Sequence, residues 1–335
     1  MRVALFNDTS GNGHFGCTAV MSTILTQGAK RGFDFVFICP TGRDWRQYKD
    51  EILQKNIDLI LVNGEGTIHH TDRNERAKAL CALGRFANDE LSVPSVLINA
   101  TLFELDEECF KLLHHFTRIF VRETESQKYL ASHGIVSEWF PDLSVFSPHL
   151  VNLKNPRQGI LVTDSVKRQV AKELRIFATL HDLVFEEMVN FKTRRFWGHR
   201  FIRSLIKIES RIPSPNEVIS REYQPLSRFF QRICEAELVI TGRFHTFMLA
   251  LAAGTPVFAI DSNTPKISFV ARDVLGGQSD LIIRDSILQE TPPSLLAASK
   301  NQERYADDVR SYIEFGKDKM LSAFDEIVNL SRSAG

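Results

Sequence analysis

The stretch Glu237 to Val270, ELVITGRFHTFMLALAAGTPVFAIDSNTPKISFV, admits few folds. Leu238 to Thr241 reads as a short buried strand, and Gly242 frees the backbone to turn. His245 to Ala253 is apolar on nearly every face, as a buried helix must be, and Gly254 is the residue type that ends one. Pro256 then leads into a second apolar strand, Val257 to Ile260. Strand, buried helix and strand in this order make one unit of a parallel sheet. Such sheets bind ligands at the carboxyl ends of their strands, where helix N–H groups favour anions. Arg243 and His245 fall at that edge, and Lys266 follows the second strand there. The three together would hold a small phosphorylated or carboxylated molecule. Taken singly, the same residues also suit solvated loop charges and a helix cap.

The first half repeats the pattern. Val3 to Phe6, Phe35 to Ile38, Leu59 to Val62, Ser95 to Ile98 and Ile119 to Val121 are short apolar runs separated by segments long enough for helices, which predicts a parallel sheet. Polar residues follow several of these strands: a turn-rich loop from Asn7 to Gly16 that includes His14, then Asn63-Gly64-Glu65-Gly66-Thr67, then Arg122-Glu123. Pro141, Pro148 and Pro156 interrupt the periodicity before a new strand begins at Gly159. The expected organisation is α/β, with Rossmann-like domains over 1–150 and 151–335 facing across a cleft, the second ending in a long helix from about Gln302 to Leu330.

Charge and cysteine content narrow the function classes. Lys+Arg and Asp+Glu each number 41, so the net charge is zero and nothing global favours nucleic acid. The five cysteines are scattered, with no C-x-x-C pair, which predicts reduced thiols in a cytosolic compartment and no structural zinc. Met1 to Asn7 is too short for a signal peptide, and no run of about 18 apolar residues spans a bilayer. A cytoplasmic protein is expected, at most peripheral on a membrane. The segment most suited to that contact is Lys192 to Arg211, with seven Lys/Arg and one acid interleaved with Phe196, Trp197, Phe201 and aliphatic residues. An ordinary surface helix packed on its domain has the same composition.

The glycines of Gly64-Glu65-Gly66 allow either a tight turn or close approach of backbone to ligand. They do not form G-x-G-x-x-G, and Glu65 would repel a pyrophosphate, so a dinucleotide fingerprint is not supported. Glu65 suits sugar hydroxyls or the role of base. His69-His70 lack the i, i+4 spacing of a helical ligand pair, and no metal is expected there.

With these residues in place, Leu238 to Val270 resembles the C-terminal signature of the polysaccharide pyruvyl transferase family. The matching elements are Arg243-Phe244-His245, the small residues Ala250 to Ala253, Gly254-Thr255-Pro256, Val257 to Ile260 and Lys266. Ile119-Phe120-Val121-Arg122-Glu123 with Ser126, Leu130 and Gly134, and Pro141-Asp142, are similar to further family elements upstream. Two places depart from the family pattern: Gly64-Glu65-Gly66 stands where members tend to have three glycines, and His14-Phe15-Gly16-Cys17 where they tend to have an asparagine and a Gly-Asp.

The resemblance implies two Rossmann-like domains arranged as in GT-B glycosyltransferases, and transfer of pyruvate from phosphoenolpyruvate to a sugar as a ketal. Phosphoenolpyruvate would be a donor substrate, with no further cofactor, and the acceptor a sugar or lipid-linked saccharide of a cell-surface polysaccharide. Two anionic groups on one small donor call for several fixed cations, for which Arg243, Lys266 and Arg122 are available. His245 suits proton transfer. The expected substrate-binding set is His14, Asn63, Gly64, Glu65, Gly66 and Asp142. Two other readings stay open: a GT-B glycosyltransferase using a nucleotide-activated sugar, and a non-catalytic glycan- or anion-binding protein.

Overall fold

The computed structural model describes residues 1–153, 155–189, 224–261, 264–284 and 286–332. The basic segment Lys192 to Arg211 lies outside them. Six parallel strands form the first sheet: β1 (Arg2–Asp8), β2 (Asp34–Pro40), β3 (Leu59–Glu65), β4 (Ser95–Ala100), β5 (Arg118–Val121) and β6 (Glu138–Trp139), in the order β2-β1-β3-β4-β5-β6. A second parallel sheet contains β7 (Ile160–Ser165), β8 (Val184–Glu186), β9 (Leu238–Gly242) and β10 (Val257–Ala259), ordered β10-β9-β7-β8.

The apolar runs explain themselves once both faces of each sheet are covered. Successive strand side chains point to opposite faces, so a doubly covered strand must be apolar throughout. In β1, Val3 and Leu5 join one core while Ala4 and Phe6 join the other; in β3, Leu59 and Leu61 divide in the same way from Ile60 and Val62. The second sheet repeats this, with Leu161 and Val239 on one face and Ile160, Val162, Leu238 and Ile240 on the other.

Two helices tie the halves together. Helix α1 (Phe15–Lys30) packs Val20, Met21 and Ile24 on the first sheet, while Phe15 and Ala19 enter the core of the second. Phe15 meets Phe229 with ring centroids 4.8 Å apart. The final helix was expected to belong with the second sheet. It begins at Ala306, after a 3-10 turn over Lys300–Tyr305, and crosses between the halves: Tyr312 sits in the second core, and Met320, Ala323, Phe324 and Ile327 cover the first sheet. Gly316 permits the crossing, since a Cβ there would lie 2.3 Å from the ring of Pro141. Among the described residues no helix is long and apolar enough to cross a membrane.

Candidate active site

The carboxyl edges of the two sheets meet around a cavity of about 190 Å3. From the first half it is lined by Thr9, His14, Cys17, Glu65, Gly66 and Arg122, and from the second by Arg243, Phe244, His245 and Lys266, among others. A larger cavity of about 750 Å3 lies at the opposite, amino edge of the second sheet, beside Glu237, Gly254 and Pro256; none of the expected site residues lines it.

Each cation is held by its own local arrangement. Arg122 leaves β5, and its guanidinium is buried; Nη1 donates to Asp142 Oδ2 at 2.6 Å and Nε to Thr101 Oγ1 at 2.7 Å. Asp142 precedes the 3-10 turn Leu143–Phe146, and its other oxygen accepts from the Ser144 N–H at 2.9 Å. Burial pushes the Asp142 carboxyl up, but His245, Arg122 and the Ser144 bonds outweigh it and hold the group below the usual carboxylate range. Arg243 is the residue before helix α2 (Phe244–Ala253), and it pairs with Asp164 at the end of β7. Lys266 opens helix α3 (Lys266–Leu275). Burial, and after it the charge of Arg122, pushes its ammonium down to about 8, and it has no ion pair among the described residues.

Phe244 brings two of these cations together. Its ring lies 4.2 Å from the Arg122 guanidinium carbon and 5.7 Å from Lys266 Nζ, within cation–π range. Gly66 makes room for them, because a Cβ there would stand 3.1 Å from Lys266 Nζ and 3.2 Å from Arg122 Nη2.

His245 lies in the first turn of α2, its ring edge-on to that of His14 with centroids 5.2 Å apart. Its Nε2 is buried without a hydrogen-bond partner among the described residues, 3.8 Å from Asp142 Oδ1. Burial lowers its pKa against the opposing pull of Asp142 and Glu65, so the neutral ring prevails at neutral pH. His14 caps α1, accepting from the Cys17 N–H at 3.4 Å. Burial lowers its pKa well below the ordinary value, reinforced by His245, Arg243 and Lys266.

Glu65 ends β3 with φ +41°, in the left-handed region that a side chain adopts only when its surroundings enforce it. Three donors do so here: the Thr9 hydroxyl and Asn63 Nδ2 (3.0 Å) donate to Oε1, and the Cys17 thiol to Oε2 (3.3 Å).

The structure thus brings Arg122, Arg243, His245, Lys266, His14, Glu65 and Gly66 to one cavity, with Asp142 directly behind. Asn63 and Gly64 were expected against substrate but do not line it. Asn63 is fully buried, reaching Glu65 from behind, and Gly64 is a packing position whose Cβ would lie 2.5 Å from that of Ala100. Four participants went unread in the sequence: Thr9, Cys17, Asp164 and Phe244. Phe244 stands between the two motif residues, and Asp164 ends a strand at the carboxyl edge, so position alone marked both. His70 pairs with Glu104, away from the cavity. The described residues that can jointly approach a metal are instead His14, Cys17 and His245.

Two facing parallel sheets with a polar site at their shared carboxyl edges define a GT-B-type α/β protein. The same fold is found in UDP-GlcNAc 2-epimerase from Methanocaldococcus jannaschii in complex with UDP-GlcNAc and UDP (TM-score 0.53, 12% identity, covering 90% of this chain and 92% of that chain). It is found again in S. aureus MnaA solved with UDP (TM-score 0.52, 11% identity, covering 92% of this chain and 90% of that chain). At these identities the likeness concerns fold alone. The profile of the polysaccharide pyruvyl transferase family matches residues 19–264, and the chain belongs to that family. No match was found among curated proteins.

Proposed function

We propose that this protein transfers pyruvate from phosphoenolpyruvate to a sugar hydroxyl, forming a ketal. The observation that carries this reading is the convergence of Arg122, Arg243 and Lys266, from both halves, on a cavity of about 190 Å3. That volume is below the roughly 300–1,000 Å3 of pockets for drug-sized ligands. It suits a three-carbon molecule bearing a carboxylate and a phosphate better than a nucleotide sugar.

The chemistry follows from the protonation states. Ketal formation adds a sugar oxygen to the enol carbon while the methylene carbon gains one proton, matching the one lost by that hydroxyl; a second hydroxyl then displaces phosphate, and its proton leaves with phosphate or to solvent. Neutral His245 accepts a proton from an attacking hydroxyl at Nε2, and Asp142 at 3.8 Å stabilises the imidazolium that results. The three cations hold the donor anions and offset the charge on departing phosphate. Glu65, already accepting from three donors, faces the cavity as an acceptor for sugar hydroxyls.

One observation favours a second reading, a nucleotide-sugar transferase. Arg243 and Val166 also line an adjoining cavity of about 490 Å3 with Arg168, Lys172 and Arg175, which has room and charge for a nucleotide diphosphate. Incubation with phosphoenolpyruvate or with a set of nucleotide sugars, each against a panel of glycans and lipid-linked sugars, separates the two. The first reading predicts phosphate release coupled to a pyruvylated product. Transfer from a nucleotide sugar, with phosphoenolpyruvate inert, would replace it.

A further inference from the structure

His14, Cys17 and His245 each offer one ligand atom, and the three atoms lie within 4.8 Å of one another. We propose that they form a site for a zinc-class divalent ion, with its fourth coordination position open to the cavity. Two imidazole nitrogens and a thiolate are the donor set that zinc and its analogue cobalt prefer over magnesium or calcium. Bonds of about 2.0–2.3 Å from a common centre need only small side-chain movements from the present separations.

Three features of the fold support the assignment. His14 and Cys17 stand three residues apart at the start of α1, so they face the same side of one turn. His245 is pressed against that turn, since Gly16 leaves no room for a Cβ beyond 2.1 Å of the His245 Cβ. Its Nε2 is buried and has no hydrogen-bond partner among the described residues, so an ion there would displace none of them.

Two of the three neighbouring cations, Arg122 and Arg243, are each paired with a carboxylate, Asp142 and Asp164, and Glu65 lies beside the thiol. Lys266, which has no ion pair among the described residues, is the charge that opposes an ion there. On binding, Cys17 Sγ loses its proton to solvent and donates an electron pair to the ion, with no change of oxidation state. An ion held there occupies His245 and opposes any proton transfer by that ring. The site itself does not depend on the pyruvyl-transfer reading.

Cobalt(II) titration of the chelator-treated full-length protein tests this by absorption. The expected result is one equivalent bound, with a thiolate-to-cobalt charge-transfer band and intense visible bands of tetrahedral cobalt, displaced by zinc. Cys17→Ser should abolish the charge-transfer band, and His14→Ala should weaken binding by at least the about 10–100-fold that loss of an outer-shell partner costs. Cys39→Ser, away from the cluster, should change neither. If a variant fails to fold, zinc protection of Cys17 from alkylation in the wild-type protein, read by mass spectrometry, decides in its place. Absence of the charge-transfer band, its survival in Cys17→Ser, or alkylation of Cys17 undiminished by zinc overturns the proposal.

Discussion

His245 separates chemistry from binding. As the proton acceptor, His245→Ala should lower kcat by about 10²–10⁴-fold with donor affinity nearly unchanged. Arg243→Ala should instead weaken donor binding by roughly 1.5–3 kcal/mol, the worth of a charge-assisted contact. Near-wild-type turnover in His245→Ala would leave the ring as a helix-turn packing group only. Lys266 sets a pH limit. Its ammonium titrates at about 8 in the free protein, so the charge that holds the donor is present below that pH and lost as pH rises through it. The kcat/KM for phosphoenolpyruvate should fall above pH about 8, and Lys266→Arg, whose charge persists, should remove the fall. A profile flat to pH 10 in the wild-type protein would deny Lys266 that role. Behind the cavity, Arg122 and Asp142 are a fully buried pair. Asp142→Ala strands the arginine and should cost about 3–5 kcal/mol in denaturant unfolding.

At the scale of elements, the site exists because α1 and α2 touch at their first turns. Gly16 permits that contact, and Gly16→Ala, whose Cβ would overlap the His245 side chain, should destabilise by roughly 1–3 kcal/mol and displace the ring. An unchanged melting temperature with unchanged activity would contradict this. The elements that carry the site were legible because their patterns are strong. The strand from Leu238, the buried helix ended by Gly254 and the strand from Val257 are each apolar on all sides, and only a doubly covered parallel sheet accepts such runs. The edge positions of Arg122, Arg243, His245 and Lys266 followed from that. What was not legible depends on tertiary contact. Gly64 and Gly66 look alike in sequence, yet one packs on Ala100 and the other faces two cations. Cys17 reads as one more apolar helix residue until β3 brings Glu65 within 3.3 Å of its sulfur. The two-residue strand β6 was too short to leave a periodicity.

For the whole molecule, the C-terminal helix is the brace. It runs from the second core to the first, and Arg31 Nε binds Asp325 Oδ1 at 2.7 Å near its end. Its assignment to one half could not be read from sequence, because an amphipathic stripe does not say which core it covers. The basic composition of Lys192 to Arg211 suits an anionic surface, to which each basic residue would contribute roughly 1 kcal/mol. Co-sedimentation with anionic vesicles at low salt, lost at high salt, is expected; no binding at low salt ends that idea.

In the proposed reaction one small doubly anionic donor is held by cations from both halves. Calorimetry with phosphoenolpyruvate tests this most directly. One equivalent should bind to the wild-type protein, and Arg243→Ala and Lys266→Met should each weaken it by about 10-fold or more, near the 1.5–3 kcal/mol of a charge-assisted bond. Absence of phosphoenolpyruvate binding, or binding that both variants retain, would contradict it.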